Sequence, residues 1–288
     1  MQTNQQRYDW TKSHGLGNDY LVLRPADCVP PLRLTPAAVR LICDRHRGVG
    51  SDGILELIPP LGEDGRFGIR IWNPDGSVAE KSGNGLRIAG KYLYEHGLTT
   101  ARQFTLVTVG GDAAVSLVVD PATGCVAEVT VELGVPIFAP RERLLVDGQD
   151  LAVTVLSMGN PHCVAVVPDL AAIDLPRLGP AIERHPAFPA RTNVQFATLV
   201  DRRHIRAIVW ERGAGETAAS GSSACAVVAA CQRLGLVDAA VTVSMPGGDL
   251  QIARDNQSSL WLTGPVEEVC RGTFSADFRA RLSEGDRG

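Results

Sequence analysis

The amino-acid sequence predicts an α+β fold made of two pseudo-symmetric halves, each a sheet wrapped around a helix. Three observations lead to this prediction. Many short segments are rich in Val, Ile, Leu and Thr and are bounded by turn residues, as strands are. Only a few segments have helical periodicity. A weak internal repeat relates the first half of the chain to the second, which indicates duplication of one structural unit.

The predicted elements are mostly strands. Helices are expected only in four amphipathic or apolar segments, some of which end at a glycine such as Gly97 or Gly235. In chain order these helical segments are TPAAVRLICDRH, GLRIAGKYLYEHG, LPRLGPAIERH and SACAVVAACQRLG. The predicted strands are DYLVLRP, FGIRIWN, RQFTLVTV, AAVSLVV, VAEVTVEL, HCVAVVP, VQFATLV, IRAIVWE, AVTVSMP and SSLWLTG.

Three pairs of segments form the internal repeat. They occur in the same order in both halves and at a nearly constant spacing, so chance is a poor explanation for all three. The pairs are GNDYLVL from Gly17 with GNPHCVAVV from Gly159, RGVGSDGIL from Arg47 with RTNVQFATL from Arg191, and SGNGLRIAGKYL from Ser82 with SGSSACAVVAAC from Ser220. The join is expected near VDPATGC, which gives halves of residues 1–125 and 126–271.

Composition excludes several classes of protein. The chain has 288 residues, of which 44% are hydrophobic and 21% charged, and a net charge of −4 with scattered Lys and Arg. This balance argues against a nucleic-acid partner and against a membrane surface. There is no apolar run of membrane-spanning length, and the start MQTNQQRYDW lacks the features of a signal peptide, so a cytoplasmic location is expected. Seven cysteines without a C-x-x-C pair predict reduced thiols and no metal site.

The two Ser-Gly pairs, Ser82-Gly83 and Ser220-Gly221, each open a predicted helix. The first turn of a helix has unpaired N–H groups and a positive dipole end, and glycine lets a ligand approach the backbone closely. Two such turns facing each other across a cleft between the halves would hold a carboxylate and stabilise charge formed beside it. Side chains 82 and 220 would then lie on opposite faces of a Cα, one removing a proton and one delivering it. Each pair by itself could be a simple N-cap.

Other polar residues fit the same cleft. Four asparagines lie at predicted strand–loop junctions, where they could contact a ligand or serve only as turn formers. They are Asn18, Asn73, Asn160 and Asn193. Glu211 and Arg212 follow a strand, in a position for a carboxylate clamp or for a surface ion pair. His162 could relay a proton or be a structural histidine.

Taken together, these residues resemble the diaminopimelate epimerase family of cofactor-independent isomerases. The matching stretches are HGLGNDYLVL, RGVGSDG, NPDGSVAEKSGNGLR, GNPHCV, RTNVQF, ERGAGETAASGSSACA, MPGGDLQI and LTGPVEEVCRG. The resemblance implies interconversion of LL- and meso-diaminopimelate, a lysine and cell-wall precursor, by Cα proton removal and return without pyridoxal phosphate or any other cofactor. It also implies a C-terminal segment, about residues 272–288, that returns to the first half, and a possible homodimer.

The resemblance also assigns roles to individual residues. The substrate's distal end would be held by Asn73, Asn160, Asn193 and Arg212. Its reacting carboxylate would be held by main-chain groups at Gly83, Asn84, Gly221 and Ser222, with Asn18 nearby. His162 and Glu211 would assist the two acid–base residues at positions 82 and 220. Gly53 occupies a position where some members of the family have glutamine.

The sequence departs from the family at the two acid–base positions, where Ser82 and Ser220 replace cysteines. A thiol can be poised as a thiolate near neutral pH, whereas an alcohol is a far weaker acid. Three explanations stay open: deliberate replacement of both cysteines, a natural isomerase that uses another base, or a protein that binds an amino acid without turning it over. The candidates for another base are Lys81, Asp75 and Glu80.

Overall fold

The computed structural model of the protein describes residues 8–284, and over that range it is an α+β protein, which confirms the predicted fold class. Its helices are α1 (Pro36–Cys43), α2 (Gly83–Glu95), α3 (Leu175–Glu183), α4 (Gly221–Arg233) and α5 (Ala276–Glu284). None of the helices in this range has both the length and the apolar character that a membrane crossing requires. The expectation about a signal peptide falls largely on residues 1–7, outside the described range.

Strands make up most of the remaining chain. Those of the first part are β1 (Asp9–Gly15), β2 (Asn18–Leu23), β3 (Ile54–Leu61), β4 (Arg66–Trp72), β5 (Val78–Ala79), β6 (Gln103–Thr108), β7 (Gly111–Val119) and β8 (Val126–Gly134). They are followed by β9 (Ile137–Phe138), β10 (Arg143–Val146), β11 (Gln149–Ala152), β12 (Thr154–Ser157), β13 (Pro161–Val166), β14 (Asn193–Asp201), β15 (His204–Glu211) and β16 (Gly215–Thr217). The last four are β17 (Ala240–Met245), β18 (Gly248–Arg254), β19 (Leu260–Gly264) and β20 (Glu267–Thr273).

The described chain packs into two compact units. Unit 1 consists of residues 8–15, 19–129 and 265–284, and unit 2 of residues 16–18 and 130–264. The boundary therefore falls inside β8, and the chain re-enters unit 1 just before β20. The sequence analysis places the join at 125/126 and the return at about 272, and residues 285–288 of that returning segment lie outside the described range.

The two units repeat one strand topology. In unit 1, β2 pairs with β3 in parallel, β3 with β4 antiparallel, β4 with β5 antiparallel, β4 with β6 in parallel and β6 with β7 antiparallel. In unit 2, β13, β14, β15, β16, β17 and β18 pair in the same succession and with the same directions. The internal repeat of the sequence therefore corresponds to a repeat of the fold.

A buried helix forms the centre of each unit. α2 packs against β1 and β7, and α4 packs against β12, β13, β14 and β18. Both helices are rich in small residues, because a helix enclosed by a sheet must approach it closely. At Gly90 of α2, for example, a Cβ would come within 2.9 Å of the Val115 side chain. Each of these central helices starts with the Ser-Gly pair that the sequence analysis singles out.

The outer helices cover the opposite faces of the sheets. α1 joins a cluster with Leu21 and Leu23 of β2, and α3 joins a second cluster with Phe196 of β14. In α3 a Cβ at Gly179 would lie 2.6 Å from the Trp210 ring, so glycine is needed there for close packing against β15.

Candidate functional site

Ser82 and Ser220 are the N-caps of α2 and α4, and their backbones are nearly identical. Ser82 has φ −140° and ψ 118°, and Ser220 has φ −141° and ψ 121°. The extended conformation at this position turns the chain from a short strand into the helix and leaves the first-turn N–H groups at the helix entrance. The chain thus builds the same helix start twice, once in each unit.

The Ser82 hydroxyl has two partners in unit 1. Its Oγ accepts a hydrogen bond from the Gly85 N–H at 3.1 Å, which is a standard N-cap contact. It also lies 3.2 Å from the hydroxyl of Tyr20, a buried residue of β2. A Cβ at Gly53 would come within 2.6 Å of the Tyr20 ring, so glycine there leaves room for the ring that carries this hydroxyl.

A buried arginine fixes the first turn of α2. The guanidinium of Arg87 is fully buried and donates to the Asn84 Oδ1 at 2.9 Å and to the Gly83 carbonyl at 3.2 Å. Charge-assisted hydrogen bonds are stronger than neutral ones, and these two fix the first two residues that follow Ser82. The Asn84 side chain is thereby committed to the protein, which leaves the main chain of Gly83 and Asn84 as the part of the turn that could contact a ligand.

The other candidates of unit 1 lie in the turn between β4 and β5 and in the segment that leads from β5 to Ser82. Asn73 follows β4, and its Nδ2 donates to the Ser77 Oγ at 2.9 Å across a tight turn. The Asp75 carboxylate in the same turn accepts from the Ser77 N–H and hydroxyl, which lowers the pKa of Asp75. The Lys81 ammonium donates to the Asp112 carbonyl at 3.0 Å, and Glu80 is exposed.

Ser220 is held differently from Ser82. Its Oγ makes no cap bond to its own helix and instead donates to the Glu211 Oε2 at 3.0 Å. The other oxygen of Glu211 accepts from the Thr217 hydroxyl at 2.7 Å. A carboxylate with two hydroxyl donors is oriented with one oxygen directed at Ser220. The arrangement can move a proton from the serine hydroxyl to the carboxylate.

His162 is at the centre of a buried polar chain in unit 2. Its Nε2 lies 2.8 Å from the Asn160 Oδ1, and its Nδ1 lies 3.0 Å from the Gln195 Nε2, which also donates to the Ser223 hydroxyl. Since Gln195 donates to Nδ1, the ring proton is assigned to Nε2 and is donated to Asn160. Burial lowers the pKa of His162 to about 3, and the charge of Arg212 adds to the effect. His162 is therefore neutral at neutral pH and orients Asn160.

This buried histidine predicts a pH dependence of stability. Its pKa in the folded state lies below the ordinary value near 6.5, so the unfolded chain binds more protons between these two values. The free energy of unfolding should therefore fall as the pH falls from about 6.5 toward 3, with a contribution of up to ~1.4 kcal/mol per pH unit. Urea denaturation of His162→Gln at pH 7, 6, 5 and 4 should show a shallower slope than the unmodified protein.

The control for this measurement is His46→Gln, which removes an exposed histidine. It should leave the slope unchanged. Equal slopes for the unmodified protein and His162→Gln would contradict the assignment of His162 as a neutral buried ring.

Asn193 connects three segments of unit 2. It is almost completely buried, and its Nδ2 donates to the Pro161 carbonyl at 2.9 Å while its Oδ1 accepts from the Arg212 N–H at 2.9 Å. The Arg212 side chain is exposed and donates from Nη1 to the Ala190 carbonyl at 3.3 Å. The first contact holds the backbone of Arg212 and the second engages its guanidinium, so Asn193 supports that arginine in addition to any contact with a ligand.

The remaining candidates lie at the start of α4 and at the start of β2. Gly221 and Ser222 form the first turn of α4, where Gly221 is buried and Ser222 half-buried. Asn18 begins β2 and packs as part of unit 2. Within residues 8–284 no cluster of His, Cys, Asp and Glu is arranged to hold a metal ion.

Three residues next to the candidates were not singled out from the sequence. They are Tyr20 beside Ser82, Thr217 beside Glu211, and Gln195 beside His162. Gln195 carries a recognisable signal, because it is a polar residue at a fully buried position of the apolar strand β14. Buried polar groups of this kind are hydrogen-bonded, so a partner was to be expected. Tyr20 and Thr217 carry no such signal.

Similarity to known proteins extends over nearly the whole chain. A family model described as diaminopimelate epimerase matches residues 10–138 and 154–269. The chain is 40% identical over 282 residues to diaminopimelate epimerase 2 of Nostoc sp., covering 93% of this chain and 96% of that protein. It is 42% identical over 282 residues to the diaminopimelate epimerase of Pelotomaculum thermopropionicum, covering 92% of this chain and 98% of that protein.

Solved structures share the fold at low sequence identity. A hydroxyproline epimerase from Agrobacterium vitis has a TM-score of 0.73 at 15% identity, covering 95% of this chain and 94% of that one. A phenazine biosynthesis protein of the PhzF family from Bacillus anthracis has a TM-score of 0.70 at 15% identity, covering 94% of this chain and 100% of that one. These structures support the fold alone. The family match and the identities near 40% go further, and they show that the chain belongs to the diaminopimelate epimerase family of isomerases.

Proposed function

We propose that this protein is a cofactor-independent epimerase that exchanges the Cα proton of diaminopimelate or a closely related amino acid, with Ser82 and Ser220 at its two acid–base positions. The observation that carries the proposal is the duplicated helix start, in which both serines have the same backbone conformation and each hydroxyl has a polar partner of its own. Membership of the diaminopimelate epimerase family supplies the substrate class.

The two hydroxyls differ in the chemistry that their partners allow. Ser220 is hydrogen-bonded to the Glu211 carboxylate, so a proton arriving at Ser220 can pass on to Glu211. Ser82 is next to the phenol of Tyr20, whose hydroxyl can pass a proton to Ser82 when Ser82 delivers its own to the substrate. On this basis the α4 side acts as the base and the α2 side as the acid when the reaction starts from the isomer whose Cα–H faces Ser220.

A carboxylate acting through a serine is a weak base for a Cα proton. The first-turn N–H groups of α2 and α4 would lower the barrier by stabilising the enediolate charge that forms on the substrate carboxylate. Proton transfer by a positioned group contributes roughly 10²–10⁴-fold, and its efficiency falls as the pKa of the base departs from the working pH. We therefore expect exchange that is slow compared with that of a site with thiols.

Lysine 81 is a less favourable base than the Ser220–Glu211 pair. Its ammonium is engaged with the Asp112 carbonyl, and a base at this position would have to leave that contact and reach the Ser82 side of the substrate. Glu211, by contrast, is already bonded to a serine at one of the two acid–base positions. The hydrogen bond between Ser220 and Glu211 therefore favours Glu211 over Lys81 as the base.

The proposal is tested by incubating the protein in deuterium oxide with a panel of amino acids that includes LL- and meso-diaminopimelate. Mass spectrometry then measures deuterium at Cα. Exchange with diaminopimelate and not with alanine or lysine is the expected result. Saturable binding of diaminopimelate without any exchange would instead identify a binding protein. If diaminopimelate shows no binding and no exchange, it is not the substrate.

Arg212 is proposed to bind the distal carboxylate of the substrate, because a guanidinium matches a carboxylate and its backbone is held by Asn193. Loss of a charged hydrogen bond costs ~1.5–3 kcal/mol, so Arg212→Met should weaken binding of diaminopimelate by about tenfold or more. Isothermal titration calorimetry measures the change. Arg206→Met, which removes an exposed arginine of the same region in β15, is the control and should bind normally. Unchanged affinity in Arg212→Met would place the distal carboxylate elsewhere.

A further inference from the structure

Glu183 is a buried carboxylate of unit 2 that no step of the proposed reaction uses. It is the last residue of α3, and it is only 2% exposed. The C-terminal end of a helix is the negative end of its dipole, so a carboxylate buried there is unfavourable unless hydrogen-bond donors surround it. The contacts of Glu183 therefore indicate what this carboxylate does.

Three donors from three places in the chain surround Glu183. Its Oε2 accepts from the Trp210 indole N–H at 2.9 Å, and its Oε1 accepts from the Gly213 N–H at 3.1 Å. The Arg191 Nη1 lies 3.6 Å from the same Oε1. Both carboxylate oxygens therefore act as acceptors. One side chain connects α3 to β15, to the turn after β15 and to the segment before β14.

The contact with Trp210 has a structural purpose. The Trp210 ring packs closely on Gly179 of α3, where a Cβ would lie 2.6 Å from the ring. The bond from its indole N–H to Glu183, at the end of the same helix, fixes α3 on β15. This contact accounts for only one of the two carboxylate oxygens.

The contacts of the other oxygen flank two residues that are assigned to the substrate. Gly213 directly follows Arg212, and Arg191 precedes Asn193 by two positions. Asn193 itself accepts from the Arg212 N–H at 2.9 Å. Arg212 is thus held at its own N–H by Asn193 and at the next N–H by Glu183. Through Arg191, Glu183 also reaches the segment that carries Asn193.

The backbone at both of these contacts is sharply bent. Gly213 has φ 80°, and Arg191 has φ 57°, in the left-handed region that residues other than glycine rarely adopt. Such conformations persist where the surrounding structure holds them, and they cluster at ligand sites. Because Glu183 Oε1 contacts both residues, it holds the two bends against each other.

We propose that Glu183 is a positioning residue that sets the preference for a substrate with a distal carboxylate, by holding the Arg212 turn against the Asn193 segment. It does not touch the substrate and takes no part in proton transfer. Glu211, the proposed base, is oriented by Thr217 and keeps that partner when Glu183 is changed. The inference rests on the function proposed above, since it takes Arg212 and Asn193 as residues that bind the distal end.

The test measures affinities of the full-length protein for three probes by isothermal titration calorimetry. Diaminopimelate has a distal carboxylate and a distal amine, 2-aminopimelate has the carboxylate alone, and lysine has the amine alone. Glu183→Gln keeps the size of the side chain but removes its charge and one of its two acceptor oxygens. It should weaken binding of diaminopimelate and 2-aminopimelate about tenfold, and leave the weaker binding of lysine within a factor of about two.

The kinetics of Cα deuterium exchange separate positioning from loss of structure. In Glu183→Gln the diaminopimelate concentration at half-maximal exchange should rise about tenfold, while the rate at saturation stays within a factor of about three. A loss of folded protein would instead lower the rate at saturation and leave the half-saturating concentration unchanged. Trp210→Phe is the matched control, because it keeps an aromatic ring beside Gly179 and breaks only the bond to Oε2. It should lower the thermal stability and leave both kinetic parameters unchanged.

A second variant decides the matter if Glu183→Gln does not fold. Arg191→Met removes an exposed side chain and should weaken binding of 2-aminopimelate about threefold, whereas Arg184→Met, at the exposed position after α3, should bind normally.

Two kinds of failure are distinguishable. If Glu183→Gln weakens diaminopimelate and lysine by the same factor, or if neither Glu183→Gln nor Arg191→Met changes any affinity, Glu183 is only a structural residue and the epimerase function stands. If Glu183→Gln does not fold, unchanged binding in Arg191→Met leads to the same conclusion. If the unmodified protein binds neither diaminopimelate nor 2-aminopimelate, the proposed function is wrong and the role of Glu183 is rejected with it.

Discussion

Replacing both acid–base serines by cysteine, Ser82→Cys with Ser220→Cys, should raise the rate of Cα deuterium exchange on diaminopimelate by about 100-fold or more. A thiol has an ordinary pKa near 8.5 and is partly ionised near neutrality, and a helix N-terminus lowers that pKa further. Well-placed acid–base groups contribute roughly 10²–10⁴-fold to such reactions. Both serines cap helices that start in the same backbone conformation, so each thiol would occupy the place of the hydroxyl that it replaces.

The single variants are the controls for this experiment. Inversion at Cα needs a base on one side and an acid on the other, so Ser82→Cys or Ser220→Cys alone should gain much less than the double variant. Ser82→Cys also loses the cap bond to Gly85, which should cost about 0.5–2 kcal/mol of stability, whereas Ser220 makes no such bond. A double variant that binds diaminopimelate and still shows no exchange would mean that the site serves another reaction.

The sequence predicts most of the fold because its strong signals are local. The four helical segments correspond to α1, α2, α3 and α4, and the repeat corresponds to the repeated topology of the two units. The helix α5 was not predicted, because Ala276–Glu284 is mostly polar and lacks a clear apolar face. The short hairpin of β10 and β11 was also missed, since each of its strands is only four residues long.

The candidate site is predictable only where local geometry decides it. A Ser-Gly pair before an apolar segment indicates an N-cap, and both serines are N-caps. The partners of their hydroxyls depend on the tertiary fold, as Tyr20 is 62 residues away from Ser82 in the chain. The same holds for Lys81, which the sequence places next to Ser82 but whose ammonium donates to the carbonyl of Asp112 at the start of β7. Adjacent residues in an extended segment point in opposite directions, so Lys81 and Ser82 have different hydrogen-bond partners although they are neighbours in the sequence.

Substituting Glu211 by glutamine should reduce Cα deuterium exchange by about 100-fold while leaving the affinity for diaminopimelate within a factor of about three. Glutamine can still accept a hydrogen bond from Ser220 or Thr217, but it cannot take up a proton, so Glu211→Gln removes the base and keeps the shape of the site. The size of the loss follows from the 10²–10⁴-fold that general base catalysis contributes. The loss should appear in kcat, since the interaction is made during proton transfer and not on binding.

The same substitution should be made in the protein with cysteines at positions 82 and 220, so that the outcome is informative even if the serine protein exchanges slowly. There Glu211→Gln should again slow exchange, because the carboxylate takes the proton of the group at position 220. Glu216→Gln, an exposed carboxylate in the adjacent strand β16, is the control and should have no effect. Thr217→Val tests the orientation of Glu211, as it removes one of the two hydroxyl donors, and should give an intermediate loss. If Glu211→Gln exchanges at the rate of its parent in both proteins, Glu211 is a structural partner of Ser220 and the base lies elsewhere.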